Sequence, residues 1–358
     1  MKTYLFPGQG SQYVGMGQLL FDKFPDIIER SNNILGYSIK ELCLKNSQNQ
    51  LNKTEYTQPA LYIVNALSYR DHIKNTGEYS DFLVGHSLGE YNALESAGVF
   101  SFEDGLRLVQ KRSELMSQVS EGAMAAIIGI NANEISNILK KNNLNTIDIA
   151  NYNTLNQTII SGPKNDINNA QIFFEKNNAI YIPLNVSGPF HSRYMKPIYK
   201  KFNNFLLDFV FHSPNIPVIS NFDALPYSTE KITQNLSNQL INPVKWFDSI
   251  YYLLNKNKNK MEFIEIGPGK VLTKFIENIQ NEYNKNCIIK NNISEQSQEK
   301  KIEEWNNKYP IKTKVKVKGY KDILITKTKA MILFENKAVI YIEGYNGYFL
   351  LDEVKPIQ

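Results

Sequence analysis

Fourteen residues, DFLVGHSLGEYNAL (81 to 94), constrain this chain more than any other stretch. An apolar run ends in Gly-His-Ser-Leu-Gly, and Leu88, Tyr91 and Leu94 then recur at helical spacing. A strand must therefore turn sharply into a helix with Ser87 at the bend, the G-x-S-x-G pattern of a nucleophile elbow. Gly85 and Gly89 leave room for neighbouring backbone there. The helix N-terminus presents unpaired N–H groups able to stabilise negative charge. A chance Gly-Ser turn is the alternative, and context decides between them.

That context is an α/β chain. Thr3 to Phe6 form an apolar strand feeding the tight loop Pro7 to Gln12, and strand-then-helix order recurs at 81 to 97, so a parallel sheet is expected. From residue 124 the pattern changes to strand (MAAIIGI), helix (NEISNILKK), two strands (TIDIANYN, QTIISG), helix (NDINNAQIFFEKN) and strand (AIYIPLN). This β-α-β-β-α-β order predicts a ferredoxin-like subdomain over 124–190, inserted into a core formed by 1–123 and 191–285. PVIS (217 to 220) and FIEIG (263 to 267) belong to that core. A polar connector, helical or flexible, covers 286–308, and a small β-rich module covers 309–358, with Asn346-Gly347 suited to a hairpin turn.

Composition excludes several classes. With 358 residues, 42% hydrophobic and 21% charged, the chain can build a large core. No apolar run is long enough for a membrane span, and MKTYLFPGQG is broken too early for a signal peptide, so a cytoplasmic protein that does not bind membranes is expected. Cys43 and Cys287 lack metal-ligand spacing and read as incidental thiols; no metal or tightly bound cofactor is expected. Residues 281 to 358 hold 14 Lys and 10 Asp or Glu, so most of the net charge of +5 lies there. The Lys- and Asn-rich loops, NKNKNK (255 to 260) among them, read as solvated surface and not as a nucleic-acid site.

A serine nucleophile needs a base, and the histidines are His72, His86, His191 and His212. His191, in NVSGPFHSRYM directly after the last strand of the inserted subdomain, can reach over the elbow from another layer, although a histidine at a strand end is commonly structural. Arg112 is the other unusual residue. In SFEDGLRLVQKRSELM, Ser101 and Asp104 mark a helix start, and Leu108, Val109, Leu115 and Met116 form a stripe that contains Arg112. A buried guanidinium calls for an anion, so Arg112 either snorkels to solvent, pairs with an ordinary glutamate or meets a ligand.

FPGQGSQ, TQPALY, GHSLGE, QKRSELM, NYNTLNQTIISG, GPFHSRYM, NPVKW and EIGPGKVL occur in this order between residue 4 and about residue 280. Together they resemble the malonyl-CoA:acyl carrier protein transacylase family, most closely the free-standing acyltransferases that serve polyketide synthases in trans. The resemblance implies an α/β-hydrolase-like core with Ser87 as nucleophile and His191 as general base and acid. It assigns Asn242 to the backbone carbonyl that orients the histidine. The backbone N–H groups of Gln9 and Leu88 become an oxyanion hole. Arg112 holds the malonyl carboxylate, Gln58 and Asn153 lie near the substrate, and Phe190 disfavours a methyl branch; Pro189 departs from the small residue expected beside it. Malonyl-CoA is then the substrate, an acyl carrier protein with its phosphopantetheine the partner, polyketide synthase modules further partners, and a monomer the default.

The competing readings are an acyl hydrolase that clears carrier proteins, the malonyl transacylase of fatty-acid synthesis, and a non-catalytic docking protein. The tail resembles C-terminal extensions of some trans-acting polyketide acyltransferases. In IKTKVKVK, Lys312, Lys314, Lys316 and Lys318 fall on one face of a strand, either as a solvated edge or as a docking surface for an acidic partner.

Overall fold

The computed structural model describes all residues except 257–260, 334–336, 346 and 358, and the side chains of 286–297. The chain divides into two compact units, Met1–Asn281 and Glu282–Gln358.

In the first unit the strands are β1 (Lys2–Phe6), β2 (Phe82–Gly85), β3 (Ala123–Ile128), β4 (Asp148–Thr154), β5 (Gln157–Gly162), β6 (Ile180–Pro183), β7 (Val218–Ile219) and β8 (Glu262–Glu265). β7-β2-β1-β8 form an all-parallel sheet in that order. Tyr4, Leu5 and Phe6 are wholly buried, as befits a strand covered on both faces. The remaining four strands form an antiparallel sheet of order β4-β5-β3-β6, with helices Ala132–Lys141 and Lys164–Glu175 in the two crossovers. It has its own core around Ile127, Ile138, Ile160 and Phe174.

Two local features aim residues at the space between the sheets. The helix Thr54–Thr76 carries Pro59 in its interior, which leaves the Glu55 carbonyl without its usual N–H; Ser113 Oγ approaches that carbonyl at 3.4 Å. Gln58 therefore sits in a turn tied to the neighbouring helix, Phe102–Ser117. That helix starts where the sequence marks it, with Ser101 Oγ accepting from the Asp104 N–H at 3.1 Å. β4 is joined to the segment before helix Trp246–Lys256 by Tyr152 N–H to Val244 O and Val244 N–H to Ala150 O, both 2.9 Å. Cys43 is buried, and burial pushes its thiol up to about 12.

The stretch expected as a connector lies within a helix, Val271–Lys308, in which the division between the units falls. The second unit then carries β9 (Lys314–Val317), β10 (Leu324–Ile325), β11 (Met331–Leu333), β12 (Lys337–Tyr341), β13 (Tyr348–Leu350) and β14 (Val354–Pro356). They form two antiparallel sheets, β10-β9-β14 and β11-β12-β13, linked by a bridge between Thr326 and Ile342. The alternation in KVKV is real: Val315 and Val317 are buried, Lys314 and Lys316 exposed. The edge reading is not. β9 is the central strand of its sheet, because β10 and β14 pair on either side of it. Of the Asn346-Gly347 turn, Asn346 lies outside the described residues.

Candidate active site

Ser87 stands between β2 and helix Gly89–Ser96 with φ +51°, a left-handed conformation rare for a non-glycine residue. The flanking glycines are required by contact. A Cβ on Gly85 would lie 1.9 Å from the Gly89 backbone, and one on Gly89 would lie 2.0 Å from the Phe6 carbonyl oxygen. The turn is so tight that β1 and the start of the helix touch through it. The Ser87 N–H is held by Asn221 Oδ1 at 2.7 Å, and Asn221 Nδ2 donates to Gly85 O, also at 2.7 Å.

Of the four histidines, His191 is the one that meets the serine. Its Nε2 lies 2.7 Å from Ser87 Oγ, and Nδ1 lies 2.7 Å from a backbone carbonyl, that of Gln239. The nitrogen facing a carbonyl must carry the proton, so Nε2 is left as the acceptor for the serine hydroxyl. His191 also has positive φ, +56°, and the chain around it is pinned: Ser192 Oγ donates to Pro189 O at 2.5 Å, and Arg193 Nε pairs with Asp148 of β4 at 2.8 Å. Burial, and then the charge of Arg112, push His191 down to about 3.

His86 lines the same cavity as the serine but is bonded to Asn153 Oδ1 at 2.9 Å; His72 bonds Tyr4 OH at 3.0 Å. Asn153 thus holds a neighbour of the nucleophile while lining the same cavity. Asn242, expected to supply the carbonyl, is a correction. It is the extended residue after helix Ile232–Ile241 and its side chain returns to Asn238 O, whereas the carbonyl facing His191 belongs to Gln239, three residues earlier in the last helical turn. The last carbonyls of a helix lack intrahelical partners and are free to hold such a group.

Arg112 is 1% exposed. Nη1 donates to Gln58 Oε1 at 2.7 Å, and Nη2 donates to Gln239 Oε1 at 2.9 Å and to Ser87 Oγ at 3.0 Å. Its Nε–H meets no acceptor among the described residues, and none of the ion pairs there includes Arg112. The guanidinium lies 5.5 Å from the Tyr91 ring centre, and burial lowers its pKa. A buried cation beside a nucleophile, held only by neutral acceptors, is arranged to receive an anion.

These groups line a cavity of about 230 Å³ with Gln9, Gln58, Leu88, Asn153 and Phe190, walled by Met116, Met124 and Ile159. The backbone N–H groups of Gln9 and Leu88 have no acceptor among the described residues, and both residues line this cavity. Phe190, 4% exposed, precedes His191 on the wall, and Pro189 packs where a Cβ on Gly122 would stand.

Sequence reasoning missed Gln239, Glu90 and Asn221. Glu90 is wholly buried; it accepts from Tyr227 OH at 2.7 Å, from the Asn221 N–H at 2.9 Å and from Gln239 Nε2 in a close contact. Burial pushes its carboxyl up to about 7, against the pull of those donors. Its one visible signal was its place in GHSLGE, directly after the elbow. Among the described residues no cluster of three or more His, Cys, Asp or Glu could hold a metal ion.

A serine activated by a carbonyl-oriented histidine, in a cavity lined by residues with unpaired backbone N–H groups, is equipped for acyl transfer. The model of the acyl transferase domain matches residues 3–304. This chain belongs to the acyl transferase family. The family match stops before β9. A polyketide biosynthesis malonyl CoA-acyl carrier protein transacylase of Bacillus velezensis is 52% identical over 284 residues, 79% of this acyltransferase and 98% of the relative. Its counterpart in Bacillus subtilis is 52% identical over 282 residues, covering 78% and 97%. Among solved structures, the malonyl CoA-acyl carrier protein transacylase of Burkholderia pseudomallei matches with a TM-score of 0.77 at 45% identity, over 78% of this chain and 98% of its own. A type II polyketide synthase acyl-carrier protein in complex with its malonyl-transacylase matches with a TM-score of 0.74 at 34% identity, over 78% and 93%.

Proposed function

We propose that this acyltransferase moves a malonyl group from malonyl-CoA to the phosphopantetheine thiol of an acyl carrier protein, through an acyl-enzyme on Ser87, in trans for a polyketide synthase. The observation that carries the reading is Arg112, a buried cation 3.0 Å from Ser87 Oγ whose direct hydrogen bonds among the described residues all go to neutral oxygens, the Glu90 carboxylate reaching it only through the Gln239 amide. An acyl group ending in a carboxylate supplies the missing anion. The polyketide malonyl transacylases among the relatives point the same way.

Ser87 Oγ attacks the thioester carbonyl as its proton passes to His191 Nε2. The Gln239 carbonyl holds the Nδ1–H, and the Gln9 and Leu88 N–H groups take the charge developing on the carbonyl oxygen. The C–S bond breaks, the proton returns to the leaving sulfur, and coenzyme A departs. The carrier's thiol then repeats the sequence in reverse, with His191 as base, and frees the serine. The malonyl carboxylate takes Arg112 Nη2 in place of the Ser87 hydroxyl. It also offsets the guanidinium charge, the second cause of the low His191 basicity, so the base strengthens once the proper acyl group is bound. Phe190 on the wall crowds an α-methyl branch, a discrimination of about 1–3 kcal/mol.

The same reading takes residues 1–123 with 191–285 as an α/β-hydrolase-like core and 124–190 as a ferredoxin-like subdomain, supported by the all-parallel first sheet and the antiparallel order β4-β5-β3-β6. It takes the β-rich module as an extension of the polyketide type. The protein acts in the cytoplasm as a monomer without a resident cofactor; among the described residues no helix is long and apolar enough to cross a membrane. The test is transfer of radiolabel from malonyl-CoA to a phosphopantetheinylated carrier protein. Label on the carrier thiol supports the reading, and label released as free malonate with the carrier empty favours a hydrolase.

A further inference from the structure

We infer that Glu90 is a positioning residue that sets the polarity of the Gln239 amide, turning its oxygen to Arg112 and its nitrogen to Ser87 O, while the backbone of the same glutamine holds His191. The inference rests on the acyl-transfer reading above.

Gln239 makes four contacts with the site. Its backbone oxygen accepts from His191 Nδ1 at 2.7 Å, its Oε1 accepts from Arg112 Nη2 at 2.9 Å, and its Nε2 donates to Ser87 O at 2.9 Å and to Glu90 Oε2. An ionised carboxylate only accepts hydrogen bonds and a guanidinium only donates them. An amide lying between the two therefore has one satisfactory orientation, with nitrogen toward Glu90 and oxygen toward Arg112. Glu90 is itself surrounded by donors. Its second oxygen takes the Asn221 N–H and Tyr227 OH, and the Asn221 side chain grips the elbow on both sides, at the Ser87 N–H and at Gly85 O. A buried carboxylate that touches neither the substrate cavity nor the histidine thus sits behind the nucleophile, the base-orienting residue and the arginine together.

Glu90→Gln removes this polarity without changing shape. If its new NH₂ faces Gln239, two amide nitrogens oppose each other; if it faces the other way, it opposes the Asn221 N–H. Turning the Gln239 amide over only moves the mismatch to Arg112 and Ser87 O. No arrangement satisfies every group, and each buried mismatch is costly.

The test is run at pH 8, above the raised carboxyl value of Glu90. Labelling of Ser87 by a neutral fluorophosphonate is timed for wild type, Glu90→Gln, Gln239→Met and the double variant. Malonyl and acetyl loading from their coenzyme A thioesters are measured beside it. Gln239→Met keeps the backbone carbonyl and removes the amide. The expected result is a loss of roughly tenfold or more in labelling for Glu90→Gln, with malonyl loading falling further than acetyl loading. Glu90→Gln adds no loss to Gln239→Met, because both act through one amide. Wild-type labelling in Glu90→Gln, or losses that multiply in the double variant, overturn the inference. Glu90→Asp guards against misfolding: as an acceptor-only residue it keeps the malonyl-to-acetyl ratio even where the overall rate drops, and losing that ratio as fully as Glu90→Gln overturns the inference. A wild type that labels but takes no malonyl removes the transfer reading, while the labelling cycle still judges Glu90.

Discussion

Arg112→Ala separates two jobs of one side chain, and the structure sets a size for each. In the resting site the guanidinium satisfies Gln58 Oε1 and Gln239 Oε1 and touches Ser87 Oγ. Removing it leaves two buried amide oxygens short of a donor, a loss of about 1–3 kcal/mol each. It also removes a buried cation whose desolvation already lowers its pKa, so part of that loss is returned. The expected net change in stability is within about 2 kcal/mol. Loading responds differently. A malonyl carboxylate loses a buried, hydrogen-bonded charge partner, about 3–4 kcal/mol, or roughly 10²–10³-fold in kcat/KM. An acetyl group loses only the Nη2 contact to Ser87 Oγ, about 1 kcal/mol and less than about tenfold. Stopped-flow loading from malonyl- and acetyl-CoA reads both numbers in one preparation. Equal losses for the two donors would refute the carboxylate-binding role, and so would a malonyl loss smaller than about tenfold.

Other expectations follow from particular contacts. Gly89→Ala drives a Cβ to 2.0 Å from Phe6 O, where only backbone can yield, so urea unfolding should show a loss of about 3 kcal/mol or more; an unchanged midpoint would mean the elbow is looser than described. His191 stays neutral in the fold down to about pH 3 while the unfolded chain protonates it near 6.5, so its contribution to stability is complete above 6.5 and is lost as the pH falls. The stability difference between wild type and His191→Ala should therefore shrink by about 1.4 kcal/mol per unit below pH 6.5, with other groups cancelling; a pH-independent difference would contradict it. Lys316 and Lys355 pair directly across β9 and β14 and are exposed, a like-charge arrangement that works against the sheet. If it serves an acidic partner, reversing Lys314, Lys316 and Lys355 to Glu should weaken carrier or synthase binding and flatten its salt dependence, whereas unchanged binding by calorimetry would leave them as solvated surface.

How much was legible follows from which groups announce themselves. Ser87 could be read because its turn demands glycines in the sequence, and those glycines are where backbone touches backbone. His191 could be read because few histidines compete, and Arg112 because a charge on an apolar stripe is a conflict that something must resolve. Gln239 could not, since its decisive atom is a backbone oxygen and any residue supplies one; hence the misplacement onto Asn242. Glu90 and Asn221 are polar residues buried by tertiary contact, and nothing local separates them from solvated ones. The strands of the β-α-β-β-α-β stretch were visible from alternation and turns. The central place of β9 was not, because pairing partners distant in the chain decide whether a lysine-bearing strand is an edge.

The central claim is a covalent acyl-enzyme that hands its acyl group to a carrier. Intact-protein mass spectrometry of wild type and Ser87→Ala, after brief exposure to malonyl-CoA and then to phosphopantetheinylated carrier protein, tests it most directly. A malonyl adduct is expected on wild type alone, and it vanishes as the same mass appears on the carrier. An adduct that persists in Ser87→Ala, or one lost to water while the carrier stays unloaded, would contradict it.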